Sequence, residues 1–266
     1  MKYKLLDFIG NGKFGKVYKG QHTETKKYVA VKIETNSVKL LKHETTILNY
    51  LYHKKCKNIP VIFWYGIQDQ CPTLVMTYFE RKLTPDYFHP YYFSKILSVL
   101  ENIHNENIVH RDIKPSNFML DEKMDIHLID FGFATFYSNE NKEKKYIVGT
   151  PSFVSIRIHE GNEATRRDDL ISLGYTYLYL CPYLSNPLLQ DIETTESGNY
   201  DSVMHIHHPY LLKKKEGKKW KNLSPLVREK TEIFNYLEYC YALEYNEKPD
   251  YSRLRELLCG GSGATS

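Results

Sequence analysis

His110-Arg111-Asp112-Ile113-Lys114-Pro115-Ser116-Asn117 is the stretch on which the reading of the fold turns. Asp112 fits a group that orients a hydroxyl and accepts its proton. Lys114 fits a counter-charge, and Asn117 fits a ligand for a metal ion. Downstream, the apolar run Ile126–Ile129 predicts a strand leading into Asp130-Phe131-Gly132, where Asp130 fits a second metal ligand. Each piece alone has a plain alternative. The first segment could be an exposed turn and the second a tight turn after a strand.

Upstream, Ile9-Gly10-Asn11-Gly12-Lys13-Phe14-Gly15-Lys16-Val17 carries the spacing GxGxxGxV. Glycines let backbone N–H groups approach a phosphate with no Cβ in the way. A dinucleotide fold would follow such glycines with a helix. Here Val17-Tyr18-Lys19-Gly20 continues as strand, which favours a glycine flap between two strands over a merely flexible hairpin. Val29-Ala30-Val31-Lys32 forms the next strand. Glu44 follows on a helix striped by Leu40, Leu41, Ile47, Leu48 and Leu51. A lone lysine in an apolar strand commonly snorkels outward, and an exposed helical Glu is ordinary. Together they predict an ion pair that aims the Lys32 ammonium at nucleotide phosphates. The four motifs in this order point to phosphoryl transfer supported by positioned positive charge.

The chain has 266 residues, 42% apolar and 26% charged, which excludes a disordered chain and provides for a sizeable core. A net charge of +4 is too small to argue for nucleic acid. Cys56, Cys71, Cys181, Cys240 and Cys259 form no CxxC pair, so neither a disulfide framework nor a zinc site is expected. A reducing, intracellular setting, cytoplasmic or nuclear, fits this usage. The first residues lack a long apolar run, which predicts no signal peptide. Leu170–Leu189 is interrupted by Ser172, Thr176, Pro182, Ser185 and Pro187. It reads as a buried helix ending near Pro182, not a membrane span.

Short β-rich runs predict strands at Tyr3–Gly10, Lys16–Gln21, Tyr28–Glu34, Pro60–Tyr65 and Thr73–Phe79. After Phe79 helical periodicity takes over, with helices expected at Tyr91–Asn105, Asp169–Leu180, Pro225–Leu243 and Tyr251–Leu258. The expected class is α+β and bilobal: a small β-rich N-terminal lobe with one helix, then a larger, mostly helical lobe. The expected boundaries are 1–76 for the first lobe, 77–259 for the hinge and second lobe, and 260–266 for a flexible, linker-like appended tail. His205, His207 and His208 offer a metal site against the plainer reading of a polar loop. The lysines Lys213–Lys215, Lys218, Lys219 and Lys221 read as a solvated face or an anion-binding surface.

This motif set resembles the protein kinases, and finer strings are similar to the casein kinase I family. They are Asn58-Ile59-Pro60 before Val61–Trp64, Gly149-Thr150 followed by Ser155-Ile156, Arg166-Arg167-Asp168-Asp169-Leu170 with Ser172-Leu173-Gly174-Tyr175, and Lys248-Pro249-Asp250-Tyr251-Ser252 with Leu254-Arg255. With the glycine loop the resemblance covers nearly the whole chain. It implies a bilobal kinase fold that uses ATP and Mg2+ to phosphorylate serine or threonine in protein substrates. Acidic or phosphorylated residues upstream of the acceptor are implied, as are a monomer and no membrane partner. Lys114 is the serine/threonine-type residue within this family.

By position, the resemblance places Met76 as the gatekeeper of the adenine pocket and brings the backbone of Thr77 and Phe79 to the adenine. Ile9, Val17, Ala30, Met119 and Ile129 would sandwich the ring, and Asp169 would anchor the catalytic loop. Arg166 and Arg167, with Lys218 and Lys219, would form a site for a substrate anion. The alternative is that the two arginines only tie the activation segment to Asp168 or Asp169. Three departures stand out. Ser155-Ile156-Arg157 replaces the Ala-Pro-Glu of most protein kinases, and the family has Asn where Arg157 stands. The activation segment, Asp130 to Arg157, is short, and the region after Leu180 diverges most. A binding-only pseudokinase would lack one of Lys32, Asp112, Asn117 or Asp130. A small-molecule kinase would lack Arg111 and the Gly149-Thr150 segment.

Overall fold

The computed structural model describes residues 2–12, 15–35, 40–181 and 203–258. In chain order the strands are β1 (Tyr3–Gly12), β2 (Gly15–His22), β3 (Tyr28–Glu34), β4 (Ile62–Gln68), β5 (Cys71–Thr77), β6 (Arg81–Lys82), β7 (Ile108–Val109), β8 (Phe118–Leu120), β9 (Ile126–Leu128), β10 (Thr135–Phe136), β11 (Tyr146–Val148) and β12 (Val203–His205). The helices are α1 (Leu40–His53), α2 (Pro90–Asn105), α3 (Ile156–His159), α4 (Arg166–Leu180), α5 (Pro209–Gly217), α6 (Trp220–Val227), α7 (Thr231–Ala242) and α8 (Tyr251–Leu258). A β-rich N-terminal region is thus followed by a helical C-terminal region. The chain divides into two compact units, residues 1–82 with 117–134, and residues 83–116 with 135–266.

The first unit is built on an antiparallel sheet in the order β1-β2-β3-β5-β4. Val29, Val31 and Val75 form its buried centre, with Tyr3, Leu5, Tyr18 and Ile33 packed on them. Helix α1 buries Leu41, Ile47, Leu48 and Leu51 along one stripe, and Glu44 and Thr45 lie on the same buried side. Its start is capped from the preceding strand, where Glu34 Oε1 accepts the Leu40 N–H at 2.8 Å. An acceptor there suits the positive end of the helix dipole. Gly15 sits at φ +139°, and a Cβ on it would lie 2.0 Å from the Ile33 carbonyl oxygen. Only glycine lets β2 approach β3 so closely at the base of the hairpin.

The second unit is a helical assembly around α4, which is buried on nearly every side. A helix without a solvent face belongs inside a core. Gly174 makes this possible, since a Cβ there would stand 2.4 Å from Leu237 Cδ2 of α7. Helix α4 begins at Arg166, earlier than its apolar pattern suggests. The expected helix starts at Asp169, but the Asp168 carboxylate accepts the Thr165 N–H at 2.8 Å and the Thr165 hydroxyl at 3.1 Å, closing an earlier first turn.

The single helix expected over Pro225–Leu243 is two helices, α6 and α7. The buried positions Leu223 and Val227 are one helical face, but the next buried residue, Ile233, falls out of phase with them. A break at Arg228–Lys230 turns both stripes inward. Among the described residues, no helix is long and apolar enough to cross a membrane.

Candidate active site

Within the first unit, Lys32 projects from β3 and its ammonium lies 2.7 Å and 3.0 Å from the two carboxylate oxygens of Glu44. The same nitrogen lies 2.9 Å from Asp130 Oδ1. Glu44 is fully buried, and a buried carboxylate needs a paired charge. Burial alone would lower the Lys32 pKa; the charges of Asp130 and Glu44 outweigh it and raise the group above its ordinary value. Asp130 adopts the left-handed conformation, φ 66° and ψ 68°, and begins the short 3-10 turn Phe131–Phe133. Phe131 is buried, and His43 Nε2 meets the Ala134 carbonyl oxygen at 2.6 Å. Asn117 ends the 3-10 turn Pro115–Asn117 and is buried; its carbonyl oxygen accepts the Ile129 N–H at 2.9 Å.

The other nucleotide-side candidates lie in this unit too. The hairpin pairs Gly10 with Val17, Asn11 with Lys16 and Gly12 with Gly15; Lys13 and Phe14 lie outside the described residues. Ala30 faces Met76 across the β3–β5 register, and both are buried. Ile9 is exposed and Ile129 half-buried. Met119 pairs with His127 on β8–β9, and the His127 ring stacks on Phe79 at 4.3 Å. The Thr77 N–H turns to the Val61 carbonyl oxygen at 3.0 Å.

Within the second unit, Asp112 and Lys114 are joined by a residue given no role in the sequence reading, Thr150. Asp112 Oδ1 accepts the Thr150 N–H at 2.9 Å and its hydroxyl at 2.7 Å. Lys114 Nζ lies 3.0 Å from Asp112 Oδ2 and donates to Thr150 Oγ1 at 2.9 Å. Gly149, at φ +108°, permits this approach, because a Cβ there would stand 2.3 Å from the Arg111 carbonyl oxygen. A glycine required just before a threonine was the signal in the sequence.

Beneath this loop, the buried Asp169 carboxylate accepts the backbone N–H of His110 at 2.7 Å and of Arg111 at 2.9 Å. Its Oδ2 also meets His104 Nε2 at 3.0 Å, and His104 Nδ1 meets the Tyr251 hydroxyl at 2.5 Å. Burial pushes the Asp169 carboxyl up; the hydrogen bond and charge of His104 and the groups of His110 bring it below its ordinary value.

The four residues expected at a substrate anion site are not alike. Arg167 is buried, and its Nη1 donates to the Leu243 carbonyl oxygen at 3.0 Å. Arg157 Nη2 donates to the Tyr241 carbonyl oxygen at 2.8 Å. Two guanidinium groups therefore satisfy carbonyls at the C-terminal end of α7, where positive charge is favoured. Lys218 is buried with its ammonium on two backbone carbonyls. Arg166 is half-buried, stacked 4.3 Å over the Tyr137 ring and donating to Asn107 Oδ1 at 2.9 Å. Lys219 pairs with Glu216 at 2.6 Å near the surface.

A family model described as "Protein kinase domain" matches residues 3–248. This chain is a protein kinase domain. Membership makes it a phosphotransferase of protein substrates that draws its phosphoryl group from ATP, typically with Mg2+. The kinase chain offers hard donors suited to that ion, a carboxylate on Asp130 and an amide oxygen on Asn117. Mg2+ commonly takes one or two protein ligands and completes its shell with water and phosphate. No cluster of three or more His, Cys, Asp or Glu able to hold a metal occurs among the described residues, and that includes His205, His207 and His208.

Proposed function

We propose that this kinase phosphorylates serine and threonine in the manner of the casein kinase I family. The observation that supports the reading best is the arrangement around Asp112, held on one oxygen by Thr150 and faced on the other by Lys114. In the proposed reaction the acceptor hydroxyl oxygen forms a bond to the γ-phosphorus as the bond to the β–γ bridging oxygen breaks. ADP leaves, and the hydroxyl proton passes to Asp112. Lys114 lies beside that carboxylate, where it offsets the charge of the transferring group. Lys32, fixed by Glu44, presents its ammonium to the α- and β-phosphates. Asn117 and Asp130 would hold Mg2+, which when bound supplies positive charge to the phosphate oxygens.

The glycine hairpin Gly10–Lys16 covers the phosphates in this reading, and Ile9, Val17, Ala30, Met76, Met119 and Ile129 surround the adenine. Acidic or phosphorylated residues ahead of the acceptor are met by Arg166 and Lys219. The Lys219–Glu216 pair is exposed enough to yield to a stronger anion.

The test uses radiolabelled ATP, casein, and one acidic peptide made with Ser, Thr or Tyr at the acceptor position. The Asp130→Asn protein serves as the blank. Label on the Ser and Thr peptides is expected. Label on the Tyr peptide alone, or on none of them, would sink the reading.

A further inference from the structure

Lys218 follows α5 in the part of the chain least like the resembled family, and its side chain is buried. Its ammonium lies 2.7 Å from the Pro151 carbonyl oxygen, 2.5 Å from the Val154 carbonyl oxygen and 3.2 Å from His159 Nε2. It also stands 5.1 Å from the centroid of the Tyr175 ring. The Tyr175 hydroxyl is hydrogen-bonded to the Tyr241 hydroxyl. Tyr241 in turn donates to the Lys218 carbonyl oxygen at 2.8 Å. The lysine backbone is therefore held by the residue that orders its side-chain surroundings. Burial of an ammonium is costly unless its protons find acceptors; here the Pro151 and Val154 carbonyls accept from it, while burial still lowers its pKa.

What those acceptors belong to gives the lysine its meaning. Residue 150 is hydrogen-bonded to Asp112. Ser155, at the other end of the segment, caps α3 and donates to Asp168 Oδ1 at 2.5 Å. Pro151–Val154 is the stretch strung between these fixed points. It begins one residue from the group that holds Asp112, which makes it the stretch of this segment nearest to an acceptor hydroxyl at that carboxylate. The apolar side of the stretch is seated in a small core, where Val154 packs with Ile147, Ile158 and Leu211. Its two inward carbonyls have no helix or sheet ladder to join, and Lys218 satisfies them both.

We propose that Lys218 is a positioning residue for the peptide acceptor, acting through the backbone of Pro151–Val154. The proposal rests on the reading of Asp112 as the residue that receives the acceptor hydroxyl. Lys218 does not touch substrate. It fixes the shape of the segment along which substrate lies, so its loss weakens peptide binding and leaves the nucleotide side alone.

The test compares the wild-type enzyme with Lys218→Met, which keeps the length but removes the donors, and Lys218→Gln, which keeps an N–H pair. Peptide KM, ATP KM and kcat are measured with the acidic serine peptide. Amide hydrogen exchange is followed over residues 150–155. For Lys218→Met the expected result is a peptide KM raised on the order of 10-fold, an ATP KM within about twofold of wild type, and faster exchange confined to 150–155. Lys218→Gln is expected to lie between the two. If Lys218→Met does not fold, the Gln variant is read in its place.

A purely structural role would lower the folded fraction and the rate together while moving neither KM. That result, or exchange at 150–155 equal to wild type, would overturn the proposal. A wild-type enzyme that labels no peptide would instead overturn the reading of Asp112. In that case the exchange measurement alone decides whether Lys218 braces the segment.

Discussion

Glu44 shows how a charge can be required by its surroundings. It occupies a position in the buried stripe of α1 where an apolar residue would pack, so its carboxylate depends on the charge of Lys32, helped by a hydrogen bond from the Phe131 backbone. Asp130 meets the same ammonium from a left-handed backbone position and remains part-exposed. The two acids therefore respond differently to change. Asp130→Asn keeps the Lys32–Glu44 pair and is expected to melt like the wild type while transferring phosphate on the order of 10²-fold or more slowly. Lys32→Met is expected to lose activity to a similar degree and also to melt at a lower temperature, because it leaves Glu44 buried and unpaired. Adding Glu44→Gln to Lys32→Met should recover much of the melting temperature and none of the transfer. Thermal denaturation beside initial rates checks all three, and an active Asp130→Asn enzyme would remove Asp130 from the site.

At the scale of elements, what was legible in the sequence depended on whether a pattern was local. The strands β1 to β3 and helices α1, α2 and α8 follow alternation or a single apolar stripe and lie within a few residues of their expected bounds. Ser155–His159 gave no such signal, because α3 is one turn held by the Ser155 cap and by Asp168. Lys32, Asp112 and Asp130 could be named as candidates from the sequence because phosphoryl chemistry restricts which side chains can serve. The contacts of Thr150 and Lys218 could not be foreseen. The sequence marked Gly149-Thr150 as a family string and Lys218 as part of an anion site, and each instead bonds a segment far away in the chain. The environment of His159 is of the same kind. It faces Lys218, with Lys215 and Lys214 nearby and the Pro151 carbonyl oxygen 3.2 Å from Nε2.

Burial first, then the Lys218 charge, lowers the His159 pKa to about 2. The unfolded chain takes up that proton near pH 6.5, roughly, while the native state does not. Native His159 thus binds fewer protons than unfolded His159 below that point, so stability present above about pH 6.5 is lost as pH falls. Denaturation midpoints at about pH 7.5 and about pH 5.5 should fall further apart for wild type than for His159→Gln. An equal drop in the two proteins would show that His159 is free to take up a proton in the fold.

Over the whole molecule the residues proposed to act are divided. Lys32, Glu44, Asn117 and Asp130 belong to one unit, and Asp112, Lys114, Thr150 and Asp169 belong to the other. The activation segment runs through both, and in the second unit it is held by contacts that use no phosphate. The Tyr137 hydroxyl donates to Asn246 Oδ1 at 2.9 Å, and its ring lies under Arg166. The Tyr245 hydroxyl reaches the carbonyl oxygens of Ser138 and Glu140 at 3.3 Å and 3.0 Å. Strand β11 pairs with β12, and Lys144 bridges to Glu163 at 2.9 Å. Glu163 also acts on Arg111, opposing the effect of burial, which lowers the arginine pKa. A carboxylate therefore already serves both a basic residue of the segment and the arginine beside Asp112. In kinases that require phosphorylation, a phosphate would supply such a charge.

The segment holds Thr135, Ser138, Tyr146 and Thr150, so modification is chemically open. Enzyme treated with phosphatase is nevertheless expected to keep most of its initial rate in an assay too short for rephosphorylation. Glu163→Gln is expected to lower that rate several-fold with little change in ATP KM. A treated enzyme that falls to background, and recovers after incubation with ATP, would show that phosphate does what Glu163 and Tyr245 are proposed to do.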